Sequence, residues 1–180
     1  MANELSTLIG VVLGAVLSYL VGMLNDRTRW RREHGARWDG LLLQAYSDYG
    51  QAIKECVVAY QRLAAHQGLT EDPTPVEPTN DALEQAAQAE TKRAAMTEPL
   101  RLLADPTTAA AVRSLNDAVW HLEWMARGRL TGDAATWDQA YREYRTARQT
   151  FYDKARASLQ VPGGVIAERA SWPPSWRASG

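Results

Sequence analysis

Two kinds of hydrophobic spacing succeed one another along this chain. From Leu8 to Leu24 the residues LIGVVLGAVLSYLVGML carry no charge, and Leu5, Ser6 and Thr7 lengthen the tolerable stretch. About twenty such residues, at about 1.5 Å each, span the roughly 30 Å hydrocarbon core of a bilayer. The pattern therefore predicts a transmembrane anchor over residues 1–24. A secretory signal peptide is the competing reading, but it wants basic residues before the apolar run and small ones at a cleavage site after it. Here MANELST precedes the run, which leaves through Met23, Leu24 and Asn25 into arginines, so an uncleaved span is favoured.

Beyond a basic juxtamembrane segment at 25–37 the apolar positions take on a helical period. Trp38, Leu42, Ala45, Tyr49, Ala52, Cys56, Ala59 and Leu63 alternate steps of three and four, the stripe of an amphipathic helix ending near Gly68. Gly35, Gly40 and Gly50 weaken it, and a bend is expected near His34 and Gly35. Pro73, Pro75 and Pro78 among Glu71, Asp72 and Glu77 then predict an exposed loop over 69–80. An Ala-rich helix follows from about Ala82 toward Ala104, with a capping residue among Thr79, Asn80 and Asp81, and Pro99 is expected to break or kink it next to Thr97.

Asp105 and Pro106 mark the next start, with Val112, Leu115, Val119, Leu122 and Ala126 as the stripe and Met125 beside it. Gly128 and Gly132 bracket the following turn. A last helix opens at Asp133 and carries Trp137, Tyr141, Tyr144, Phe151, Ala155 and Leu159 until Pro162, Gly163 and Gly164 close it. Without any strand-like alternation, the expected fold is all-α: an N-terminal transmembrane helix followed by an antiparallel bundle of about four helices over 38–160, with coiled-coil-like packing. The tail at 161–180 is read as flexible, although Trp172 and Trp176 around Pro173 and Pro174 suit docking as an extended peptide, on this bundle or on a partner.

Charge gives the anchor a direction. Arg27, Arg29, Arg31, Arg32 and Arg37 follow the span and only Glu4 precedes it, so the positive-inside rule places the bundle in the cytoplasm. Arg27, Arg29, Trp30, Arg31 and Arg32 are the expected membrane-interface residues, with Trp38 far enough along to join the core. Within the span, Gly10, Gly14, Ser18 and Gly22 recur at every fourth residue and form a small-residue face on which two helices approach closely. Across the whole chain Lys+Arg is 20 and Asp+Glu 21, which gives no field to recruit nucleic acid. Seventeen arginines against three lysines, with abundant Ala, point to a GC-rich bacterial genome and hence to a bacterial plasma membrane.

Candidate chemistry is sparse. The single Cys56 excludes an internal disulfide and, among Ile53, Val57 and Tyr60, reads as a buried thiol. His34, His66 and His121 fall on separate segments without metal-ligand spacing, and residues two apart, such as His121 and Glu123, do not share a helical face. Phosphate loops, GxSxG elbows and HExxH pairs do not occur. Arg142, Arg145, Arg148 and Arg156 on the last helix interleave with Asp138, Glu143 and Asp153, as on a solvated face. No catalytic, cofactor or metal residues are assigned, and an enzyme is not expected. The sequence predicts a membrane-anchored interaction or scaffold protein, self-associating or bound to a protein partner. A regulatory relay and a small phage-derived or defence-related membrane protein are the alternatives.

Overall fold

The computed structural model describes residues 38–72 and 74–162. The expected anchor, the basic segment after it and the tail beyond Pro162 lie outside the described residues. Four helices account for most of what is described: α1 at 38–66, α2 at Asn80–Leu103, α3 at Pro106–Ala126 and α4 at Ala134–Ser158, with no strand among the described residues. This is the all-α bundle the spacing predicts.

Each helix start has a local cause. Thr79 accepts from the Ala82 amide at the head of α2, and Asp105 accepts from the Thr107 and Thr108 amides with Pro106 in the first turn of α3. Asp133 accepts from the Thr136 amide before α4. These side chains satisfy amide groups that a helix start leaves without intrahelical partners. At the other end of α3, Gly128 adopts φ +67, so the Arg129 amide turns back to the Trp124 carbonyl at 2.8 Å, a left-handed cap that favours glycine.

The helices alternate in direction. Tyr46 meets Ser158 through their hydroxyls at 2.9 Å, while Tyr49 packs edge-on to Phe151, so α1 and α4 run antiparallel. Links from Arg93 to Asn116 and from Arg127 to the Leu83 carbonyl set α2 antiparallel to α3. The core is aromatic on the α1/α4 side, with Tyr49, Trp137 and Phe151 at 0–1 % exposure, and aliphatic on α3, where Leu115, Val119 and Leu122 are fully buried. Gly50 permits a close α1/α4 approach: a Cβ there would lie 3.0 Å from the Tyr152 hydroxyl.

The structure departs from the sequence reading at three places. Trp38 is 51 % exposed rather than core, while Tyr46, Ile53, Val57 and Tyr60 widen the buried face of α1. Helix α2 does not break at Pro99; it continues to Leu103, with Pro99 only four residues from its end, where few helical hydrogen bonds remain to be lost. Thr97, beside the expected break, stays helical and donates its hydroxyl to the Arg93 carbonyl. The loop at 67–79 is largely exposed as expected, and it is tied back to α1 by Val76 donating to the Arg62 carbonyl and the Arg62 side chain donating to the Thr74 carbonyl.

Candidate functional site

The most unusual side chain in the bundle is Arg93, an arginine at 2 % exposure in the middle of α2. Ala86, Arg93, Thr97 and Leu100 are the buried residues of that helix, so the guanidinium stands where its stripe would place an apolar residue. A buried charge is tolerated only when paired and hydrogen-bonded. Arg93 meets that condition by gripping both carboxylate oxygens of Glu90, with Nε to Oε2 at 2.7 Å and Nη2 to Oε1. Its Nη1 donates to the Asn116 side-chain oxygen on α3, and its plane lies 5.1 Å from the Trp120 ring centroid.

Neighbours complete the knot. The Trp120 indole donates to Glu90 at 2.9 Å, the Tyr60 hydroxyl reaches Glu90 at 3.5 Å, and the Tyr49 hydroxyl donates to Asn116 at 2.9 Å. Three helices therefore share one polar cluster. Burial pushes the Glu90 carboxyl up, but the hydrogen bonds and charge of Arg93, with the Trp120 bond, overcome it and leave the group below its ordinary value. Burial likewise opposes the Arg93 charge, and the Glu90 contact outweighs it, raising the arginine. Both groups are held ionised, each by the other. Tyr49 and Tyr60 are pushed up by burial and remain neutral donors.

Beside this knot, whose Glu90 is half-buried, lies a more fully buried carboxyl. Glu123 on α3 is 7 % exposed, with Arg127 3.3 Å away. Burial raises its pKa, Arg127 only partly offsets that, and the negative Glu90 adds to the rise. Arg127 also donates to the Leu83 carbonyl at 3.3 Å, which ties the end of α3 to the start of α2. Cys56, facing the same junction from α1, is fully buried and pushed up to about 12, chiefly by burial and then by Glu90. It is the inert thiol the sequence suggests.

Chemically, this arrangement fastens three helices to one another. Arg93 is occupied by Glu90, Asn116 and the Trp120 face, and Glu90 by Arg93, Trp120 and Tyr60. The described groove nearby, of about 340 Å³, is a separate surface feature between α1 and α2, lined by Lys54, Glu55, Val58, Arg62, Gln85 and Ala89 among others. Lys92 and Glu55 pair across the same two helices at 2.7 Å, partly exposed. Among the described residues no group of three or more His, Cys, Asp or Glu side chains is placed to hold a metal ion.

The residues singled out from sequence fall elsewhere. Gly10, Gly14, Ser18 and Gly22, the expected membrane-interface residues Arg27, Arg29, Trp30, Arg31 and Arg32, and the tail residues Trp172 and Trp176 all lie outside the described residues. No described helix is long and apolar enough to cross a membrane. His66 is exposed and His121 half-buried, on different helices. On α4, Arg142 bonds Gln139 and Arg148 lies over the Tyr152 ring. The Glu90/Arg93 knot was missed by sequence reasoning. Its one signal was the arginine at a stripe position, seven residues after Ala86 and seven before Leu100. No protein-family model matches the chain, and neither the curated proteins nor the solved structures offer a similar one.

Proposed function

We propose that this chain is a membrane-tethered helical interaction module, held by the span at 8–24 with its bundle on the cytoplasmic face of a bacterial plasma membrane. The observation that carries this reading is the charge-free run from Leu8 to Leu24 followed at once by Arg27, Arg29, Arg31 and Arg32. The bundle supports it in a second way. Trp120 and Trp124, one turn apart on α3, are 44 % and 47 % exposed, and large aromatic side chains of this kind anchor protein partners. The face Gly10, Gly14, Ser18 and Gly22 adds self-association within the membrane as part of the same reading.

Membrane fractionation tests the tether. The protein is expected to stay in the pellet through alkaline carbonate extraction, and protease added to inverted vesicles is expected to digest the bundle. Release by carbonate overturns the anchor, and digestion only in right-side-out cells overturns the orientation. Gly14→Leu is expected to lower the yield of crosslinked dimer in membranes, and an unchanged yield removes the small-residue face. Affinity capture of the detergent-solubilised protein then separates a foreign partner from a self-oligomer.

A further inference from the structure

The four described helices do not share the core equally. Helices α1, α3 and α4 interlock through Tyr49, Ile53, Leu115, Val119, Trp137 and Phe151, all at 0–1 % exposure. Helix α2, of similar length, buries only Ala86 and Leu100 as apolar residues, with Arg93 and Thr97 between them. Ala82, Leu83, Ala89 and Met96 add only half-buried packing, and polar links tie the helix to its neighbours: Arg93 to Asn116, Glu90 to Trp120 and Tyr60, Lys92 to Glu55, and the Arg127 bond to the Leu83 carbonyl. An apolar helix that leaves a core exposes its whole stripe to water. By contrast, α2 would regain the hydration of a guanidinium and a carboxylate, which offsets much of what its departure loses.

From this we infer that α2 is a detachable cover: it opens away from α1 and α3 as a unit while α1, α3 and α4 stay folded, and the Glu90/Arg93 knot is its latch. Regions that open locally are those with few buried apolar contacts, and α2 is that region here. The loop before it is pinned to α1 as far as Val76, which leaves residues 77–79 as the hinge on one side, and Ala104 and Asp105 give a short hinge on the other. Opening bares a slot one helix wide between α1 and α3, whose polar atoms include those of Tyr60, Asn116 and Trp120. Cys56, fully buried on α1, lies one turn before Tyr60, whose hydroxyl reaches Glu90 on α2.

That thiol is the only one in the chain, so it reports the opening without any engineering. The full-length protein in detergent micelles is treated with an aromatic disulfide reagent under native conditions, and amide exchange is followed by mass spectrometry. Cys56 is expected to react at least about tenfold faster than global unfolding allows, with a shallow dependence on urea, and α2 amides are expected to exchange in step with it. Glu90→Gln weakens a charge-assisted hydrogen bond, and should speed both by about tenfold or more while leaving α3 and α4 amides unchanged. Labelling that tracks global unfolding with the same urea slope overturns the cover. Fast labelling that is indifferent to Glu90→Gln overturns the latch, and fast labelling with α2 amides fully protected assigns the opening to another segment and overturns both. None of these outcomes depends on whether the chain is membrane-bound.

Discussion

Phe151 gives the sharpest test of how this bundle is held together. Its ring is fully buried and lies edge-on to two tyrosines of α1, with centroids 5.8 Å from Tyr46 at 79° and 5.2 Å from Tyr49 at 74°. Phe151→Ala removes the ring from a site walled by rigid helices, so the void collapses only in part. Such changes cost about 3–5 kcal/mol, and each lost aromatic pair adds about 0.5–1.5 kcal/mol beyond area. The two edge-on contacts place this site toward the upper end, at about 4–5 kcal/mol.

A domain of this size holds about 5–15 kcal/mol in all, so the variant should fold but with much of its margin gone. Urea unfolding followed by circular dichroism at 222 nm reads the effect. With a slope of about 2 kcal/mol per molar, the midpoint is expected to fall by about 2 M with the slope unchanged. Phe151→Leu keeps most of the volume and loses only the ring geometry, and is expected to cost about 1–2 kcal/mol. A loss below about 1 kcal/mol for Phe151→Ala, comparable to Leu102→Ala at a position 86 % exposed, would refute the placement of the core between α1 and α4.

Gly50→Leu should wedge α1 from α4 against Tyr152 and cost about 1–3 kcal/mol, whereas Gly40→Ala, with open space around the added carbon, should gain up to about 1 kcal/mol; thermal melts distinguish the two. Asp105→Ala removes the α3 cap and should cost about 1–2 kcal/mol at neutral pH. The hydrogen bonds from Thr107 and Thr108 hold Asp105 at about 2, so its contribution is present above the ordinary aspartate range and lost as pH falls from about 4 through about 2, and acid titration of the variant should be flatter over that window. Glu123 has the opposite sign, because burial raises it: folding favours its neutral form, and that stability is present below its unfolded value and lost as pH rises. Glu123→Gln should therefore raise Tm at pH 7, with the gain vanishing below about pH 4, and a Tm lowered at pH 7 would show that the Arg127 pair outweighs burial.

What the sequence reveals here depends on whether a signal is local. Asp105 with Pro106, Asp133, and the stripe Val112, Leu115, Val119, Leu122, Ala126 each act within one or two turns, and each stands in the structure where the spacing puts it. The behaviour of Pro99 depends on how far the helix continues beyond it, and that end is set by Ala104 and the Asp105 cap rather than by the proline. Arg93 is harder still. A charged residue in an Ala-rich helix is ordinarily solvated, and its burial is tolerable here because Asn116 and Trp120 from α3, with Tyr49 behind Asn116, complete what Glu90 on its own helix begins. The same dependence explains why α2 stands apart from its neighbours. Its sequence buries too little apolar surface to define a face by itself, so its place in the bundle is specified by partners more than twenty residues away in the chain, and a helix placed that way is the one whose release leaves the remaining core intact.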